Sequence, residues 1–303
     1  MFPKLDEVLR LNRLTPPTGQ VRMVLDTDTY NEVDDQFALA YALRCPERLR
    51  LEAVYAAPFH NEMSDGPGDG MEKSHAEILR VLDRLNIKPA DGFVCRGATR
   101  YLGSPDTPCR SEATDDLIRR AMDGPGPLYV VAIGAITNIA SAMLIEPAII
   151  ERIVVVWLGG NALYWPHTRE FNLQQDVAAA RVVLDSGVPV VLLPCNNVVS
   201  HLTTTLPELE RHLDGRSAIG TYLTGIVRAC GREGTAWSRV IWDVSAVAWL
   251  VNAEWVPSSL VSSPILTDQL TWSVDRRRHP VRVADEVSRD AILTDLFRRL
   301  ADG

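Results

Sequence analysis

Apolar positions in this chain fall into short continuous runs that alternate with stretches of helical spacing. Val21, Val24 and Leu25 open the first run, and Phe37, Leu39, Ala40 and Leu43 then recur at helical intervals, so a strand passes through a loop into a helix. Cys45-Pro46 closes that helix and residues 49–57 read as a second strand, which completes a βαβ unit. A polar loop over residues 58–70 is longer than a minimal strand-to-helix connection needs, and helical spacing returns at Ile78, Leu79, Leu82 and Leu85. Residues 128–133, 153–158 and 188–193 are further buried-strand runs, the second closed by Gly159-Gly160 and the third by Pro194-Cys195-Asn196-Asn197. Helices are predicted from Thr137-Asn138 through Leu144 and over 177–184, the latter preceded by a long loop. Residues 203–239 read as helical and mixed, 242–250 as a buried helix opening on one acid, 260–283 as a small strand pair, and 291–300 as a last helix.

Such alternation of near-continuous apolar strands with helices predicts an α/β fold: an open, mainly parallel sheet with helices on both faces, forming one domain over residues 1–303. In sheets of this kind ligands bind beyond the carboxyl ends of the strands, which is where the polar clusters fall. A 303-residue chain with 46% hydrophobic content is long enough to bury the large core this fold requires. The balance of 31 basic against 39 acidic residues, with no long basic run, argues against a nucleic-acid or anionic-membrane surface and for a small-molecule partner. Five scattered cysteines without a CxxC pair suggest neither a disulfide framework nor a zinc site, and fit a reducing cytoplasm. The first twenty residues lack the apolar core of a signal peptide, and no run reaches membrane-spanning length.

The chemistry concentrates at the first strand-to-helix joint, where Asp26, Asp28, Glu32, Asp34 and Asp35 crowd together. Acids gathered there repel one another unless a cation or a proton sits among them. Oxygen ligands on an irregular loop suit calcium better than magnesium, which holds to octahedral geometry and keeps its water. Helix capping by Asp34 and Asp35 accounts for one or two acids and not five. Asn138 reads as a helix cap. Asp243 either caps its own helix or meets a metal, and an acid in so apolar a segment needs a partner.

Three separated segments, Asp26-Thr27-Asp28 with Asp34-Asp35, Ile133-Gly134-Ala135-Ile136-Thr137-Asn138, and Gly159-Gly160 followed by Glu170-Phe171-Asn172, together resemble the nucleoside hydrolase family of calcium-dependent ribohydrolases. Trp242-Asp243 falls where that family has a fourth motif, and the likeness runs in order over residues 21–255. The resemblance implies calcium held by Asp28, Asp35, the backbone carbonyl of Ile133 and Asp243, with Asp28 also acting as general base on a water. It implies ribose hydroxyls on Asp34, a grip on the sugar from Glu170 and Asn172, and Asn61 as the match for the asparagine after the second strand. Asp26 supports the loop from behind. The implied reaction cleaves an N-glycosidic bond of a nucleoside or N-riboside through an oxocarbenium-like state, in a homo-oligomer, dimer or tetramer.

Two departures bear on that reading. Asp34 and Asp35 lie six and seven positions after Asp28, two more than the family's usual spacing, which directs Asn31 or Glu32 toward the site. Where many relatives carry a histidine before the last aspartate, this chain has Trp242, and Tyr164 replaces a further asparagine. Trp242, with Tyr164 or Trp165, is a candidate to stack on the base, while His60, His75, His167 and His201 are not distinguished by spacing as proton donors. Trp249 reads as core. Asp26-Thr27-Asp28 also resembles the aspartyl-phosphate motif of haloacid dehalogenase-like phosphatases, but Tyr30 is too large for that motif and Asp34-Asp35 arrive too early. The remaining alternative is a ribosyl- or nucleoside-binding protein that keeps the calcium site with little or no turnover.

Overall fold

A computed structural model describes residues 2–231 and 236–302. The strands are β1 (Val21–Thr27), β2 (Leu49–Ala56), β3 (Val94–Arg96), β4 (Leu128–Ala132), β5 (Ile153–Leu158), β6 (Val190–Leu193), β7 (Thr203–Thr204), β8 (Arg239–Val240), β9 (Ser258–Ser262), β10 (Ile265–Leu266), β11 (Trp272–Ser273) and β12 (Pro280–Ala284). Eight of them form one sheet in the order β3-β2-β1-β4-β5-β6-β12-β9. All neighbours in it run parallel except β9, which pairs antiparallel with β12. β10 pairs with β11, and β7 with β8, as two small antiparallel ribbons.

The central strands β4, β5 and β6 are apolar throughout because each buries both faces. In β5, Val154, Val156 and Leu158 enter one core while Ile153, Val155 and Trp157 enter the other, and β4 and β6 divide the same way. On the first side lie the helices Asp35–Leu43, Val244–Val251 and Arg289–Ala301; on the second lie Glu112–Asp123, Thr137–Ile145 and Val177–Ser186. The expected open α/β architecture is therefore the one found. Trp249 is fully buried, as its setting in an apolar helix implied.

Several boundaries differ from the sequence reading for local reasons. The helix Pro67–Arg84 begins inside the expected loop, with proline in its first turn where no backbone donor is needed. A short helix, Phe171–Gln175, breaks the expected long loop, and Glu170 caps it. The tail pair is not a separate unit: β12 docks parallel on β6 and carries β9 with it. Within the stretch 203–239, helices Leu206–His212 and Ala218–Ala229 form, and residues 232–235 lie outside the described residues. The helices Glu7–Leu14 and Glu112–Asp123 are not among the helices expected from the sequence. Among the described residues no helix is long and apolar enough to cross a membrane.

Candidate active site and metal centre

Strand order reverses its direction of growth between β1 and β4, and such a switch point opens a crevice beyond the carboxyl ends of both strands. β1 pairs Asp26 with Ala132 of β4, so Asp28 and Ile133 emerge side by side into it. The backbone N–H of Asn31 returns to the Asp28 carbonyl at 2.7 Å, which folds the extended acidic loop back before Asp34. Gly134 lets the chain pass close by: a methyl group there would stand 3.0 Å from the Asp28 carboxylate.

Asp34 occupies the cap position of the helix Asp35–Leu43, and Asp243 that of Val244–Val251, yet neither side chain makes a capping bond. Both turn toward each other instead, and the Asp243 N–H approaches Asp34 Oδ2 at 3.4 Å. Each of Asp34, Asp35 and Asp243 offers an oxygen, and the three atoms lie within 4.8 Å of one another. All three are buried, and two helix N-termini face them with partial positive charge. Thr27 Oγ1 donates to Asp35 and fixes one of its oxygens.

Asp28 is 1% exposed, and neither of its carboxylate oxygens has a hydrogen-bond partner among the described residues. Burial, followed by the charge of Asp35, holds it well above the usual carboxylate range. Burial and the neighbouring Asp34 push Asp35 up to about 8, and burial with Asp34 and Asp35 raises Asp243 strongly. Asp34 is raised by burial while Arg239 opposes the shift. Burial and mutual repulsion thus oppose ionisation of four carboxyl groups in one place, and a positive charge among them would relieve both. Hard oxygen donors with unsatisfied lone pairs, on a loop and two helix starts, fit a divalent cation such as calcium. Behind them Asp26 accepts from Asn138 Nδ2 at 2.7 Å, and burial pushes it up to about 7. Asn138 is thus no helix cap: its amide ties β1 to Ala98 N, 2.8 Å away, at the end of β3.

A cavity of about 260 Å³ lies over this floor. It is lined by Asp28, Asn31, Glu32, Asp34, Asp35, Ile133, Glu170, Asn172, Trp242 and Asp243 among others, so the expected metal and sugar residues meet in one place except Asn61. Asn61 stands behind the lining and donates to Asn31 Oδ1 at 2.6 Å. Glu170 accepts from the N–H groups of Gly160, Asn172 and Leu173 at 2.8–3.1 Å. Asn172 Nδ2 donates to the carbonyls of Ile133 and Leu158 at 3.2 and 3.1 Å, which braces the Ile133 carbonyl and leaves Oδ1 free to accept. Both residues of the loop extension, Asn31 and Glu32, line the cavity, and Glu32 is held by Arg239.

Tyr164 and Trp165 are outside the lining, and Tyr164 is 72% exposed; Trp242 is the tryptophan that faces the cavity. None of the four candidate histidines is among the described lining residues. His60 borders a neighbouring cavity with Tyr101, Gln174 and Gln175, and Phe171 forms the wall shared by the two. Arg169, Phe171, Cys195 and Asn196 join the lining without having been singled out by sequence. Their signals were present: the first two adjoin Glu170 in sequence, and the others sit just beyond the carboxyl end of β6, where ligands of such sheets bind.

A family model described as inosine-uridine preferring nucleoside hydrolase matches residues 23–294 of the chain. The chain is similar to the non-specific ribonucleoside hydrolase RihC of Salmonella schwarzengrund, 28% identical over 257 residues that cover 78% of this chain and 80% of the relative. It is also similar to the pyrimidine-specific ribonucleoside hydrolase RihA of Klebsiella pneumoniae, 25% identical over 265 residues that cover 77% and 80%. Its fold is similar to that of a plant nucleoside hydrolase, PpNRh1, with a TM-score of 0.75 at 19% identity, covering 93% of this chain and 99% of that one. A purine-preferring ribonucleoside hydrolase from Gardnerella vaginalis superposes with a TM-score of 0.73 at 21% identity, covering 92% and 98%.

Proposed function

This chain belongs to the inosine-uridine preferring nucleoside hydrolase family, and from that premise we propose that it hydrolyses the N-glycosidic bond of a ribonucleoside or related N-riboside to ribose and free base, with calcium as cofactor. The observation that carries the proposal is the pair of buried, unpartnered oxygens of Asp28 opening onto the same cavity as the Asp34, Asp35 and Asp243 cluster.

Asp28, Asp35, the Ile133 carbonyl and Asp243 would hold the ion. When bound, calcium supplies a fixed double positive charge that orients sugar hydroxyls and acidifies a water. Asp28 takes the proton of the attacking water as general base, a task that suits a carboxylate whose oxygens accept no hydrogen bond from the described residues. Asp34 accepts from the ribose hydroxyls. Glu170 and Asn172 grip the sugar, the first as a rigid cap and the second through its free Oδ1. Positive charge developing on the sugar ring is stabilised by the surrounding carboxylates, more strongly as substrate displaces water from the cavity. Trp242 stacks on the leaving base, and Asn61 acts through Asn31. We further propose that residues 1–303 act as one catalytic unit, in a homo-oligomer of two or four chains, in a reducing cytoplasm.

The test is a reducing-sugar assay of the calcium-loaded protein on purine and pyrimidine nucleosides, nicotinamide riboside and p-nitrophenyl riboside, with Asp28→Ala as control. Release of ribose that vanishes in the variant supports the hydrolase. Binding of nucleoside and calcium with no release from any substrate refutes it in favour of a binding protein, a reading that the lack of a histidine among the described lining residues would then explain.

A further inference from the structure

Two buried hydroxyl groups stand where β1 otherwise places apolar side chains. Residues along this strand alternate between the two cores: Val21, Met23 and Leu25 face the side of the helix Asp35–Leu43, and Val24 faces the other. Asp26 follows Val24 on the second side and meets Asn138 there. Thr27 follows Leu25 on the first side, at the end of a row of apolar residues, and is 0% exposed. Thr29, just beyond the strand, is fully buried as well. Valine would fill either position with a methyl group in place of the hydroxyl, and would avoid the cost of taking a polar group out of water.

Both hydroxyls are engaged, and they form one chain that ends on an acid of the cavity floor. Thr27 Oγ1 bonds Asp35 Oδ1 and lies 3.0 Å from Thr29 Oγ1. Proton count sets the direction of this chain. A carboxylate that holds a metal is ionised and only accepts, so Thr27 spends its single proton on Asp35; its oxygen then accepts, and Thr29 donates to it. Such a polarised run strengthens its last bond over that of an isolated hydroxyl. The backbone beneath it is fixed, for the Thr27 carbonyl accepts from Ala57 N at 2.8 Å and β1 is paired on both sides. Asp28, by contrast, accepts nothing from the described residues. Asp35 is tied from behind, which sets the rotation of its carboxylate and the direction in which it meets Asp34 and Asp243.

We propose that Thr27 and Thr29 form a hydroxyl relay that orients Asp35 as a metal ligand, so that the affinity of the site for calcium depends on both hydroxyls. The inference rests on the calcium cofactor proposed above. Both threonines are positioning residues: neither is among the described residues that line the cavity, and they act through Asp35. A ligand anchored in this way has fewer rotamers to give up when it meets a cation, and loss of such an outer partner costs about 10–100-fold in metal affinity.

The experiment measures the dissociation constant of calcium by isothermal titration calorimetry on the full chain, without substrate. Wild type is compared with Thr27→Val, Thr27→Ser, Thr29→Val and the double variant Thr27→Val with Thr29→Val, and melting in EDTA reports folding separately. Thr27→Val is expected to weaken calcium binding by about 10–100-fold and Thr27→Ser to restore most of it. Thr29→Val leaves the bond to Asp35 and removes its support, so the expected loss is about two- to fivefold. The double variant carries the signature of a relay. With the Thr27 hydroxyl gone Thr29 has no route to Asp35, so the double variant binds calcium as Thr27→Val does, whereas two separate packing defects would multiply. Unchanged affinity in Thr27→Val, no rescue by Thr27→Ser, or multiplied losses in the double variant overturn the relay while leaving calcium as cofactor. If Thr27→Val does not fold, Thr29→Val decides, and an unchanged dissociation constant there overturns the relay. A wild type that binds no calcium overturns the cofactor reading and the relay with it.

Discussion

Replacing Asp35 by asparagine removes one charge from the acidic floor while keeping its shape and its acceptor for Thr27 Oγ1. In the metal-free protein the Asp35 carboxyl is pushed up to about 8 from 3.8, first by burial and then by Asp34. At pH 7 the unfolded chain therefore holds this group ionised and the folded chain holds it protonated. Keeping a proton across some three pH units costs the folded state about 4 kcal/mol. The cost is absent below pH 3.8, where both states are protonated, and grows as pH rises toward 8. The Asp35→Asn variant would carry none of it. A chain of 303 residues unfolds with an entropy near 0.6 kcal/mol per kelvin, so without metal the variant is expected to melt about 3–6 °C above wild type at pH 7 and level with it near pH 4. Calcium inverts the order. At 100–1,000 times its Kd a ligand stabilises by about 2.7–4.1 kcal/mol, a rise of about 4–6 °C for wild type that the variant, short of one ligand, largely loses. Thermal melts in EDTA and in excess calcium, at pH 7, 5 and 4, read all of this. A variant less stable than wild type in EDTA at pH 7, or one that gains as much from calcium, would refute the view that these acids repel one another in wait for a cation.

Asp28→Asn, which preserves shape and removes the base, is expected to lower kcat by about 10²–10⁴-fold with far less change in KM, measured as ribose release. Asn138→Ala orphans Asp26 Oδ1 and Ala98 N together; it is expected to destabilise by about 2–4 kcal/mol in chemical denaturation, and a loss under 0.5 kcal/mol would mean that the amide braces nothing. His279 is depressed to about 4 by burial, then by Arg10 and Arg278, and its Nε2 has no partner. Its neutral form stabilises the fold above pH 6.5, and that contribution, up to about 3 kcal/mol, is lost as pH falls toward 4. Wild type should therefore lose stability against His279→Asn on acidification, and parallel pH profiles would count against the assignment.

The centre of the sheet was legible because β4, β5 and β6 are buried on both faces and write continuous apolar runs; the comparably apolar helix Val244–Val251 is set apart by its greater length and its acidic start. What escaped lies where that signal fails. β3 is three residues long, and the helices Glu7–Leu14 and Glu112–Asp123 are surface helices with mixed faces. β12 was visible as a strand, but nothing in its own residues says that it will dock on β6. Proline and polar residues at 67–70 look like loop, and become the first turn of a helix because a helix start has no use for the donor that proline lacks.

The two halves of the site were encoded differently, and that difference explains which half could be read. The acidic floor comes largely from one loop, where five acids within ten positions announce a repulsion that only a cation relieves. Its remaining member, Asp243, betrayed itself as an acid in an apolar helix start. The walls come from loops after different strands: Asn31 and Glu32 after β1, Arg169 to Asn172 after β5, and Cys195 with Asn196 after β6. Each is an ordinary polar residue in an ordinary loop until the switch point gathers them. Asn172 shows the consequence. Its amide is set by the carbonyls of Ile133 and Leu158, at the ends of two neighbouring strands, contacts of folded geometry with no trace in local sequence. Charge repulsion is a property of neighbours along the chain and survives in the sequence; the shape of the walls is a property of loops distant in the chain, and exists only once the fold has gathered them.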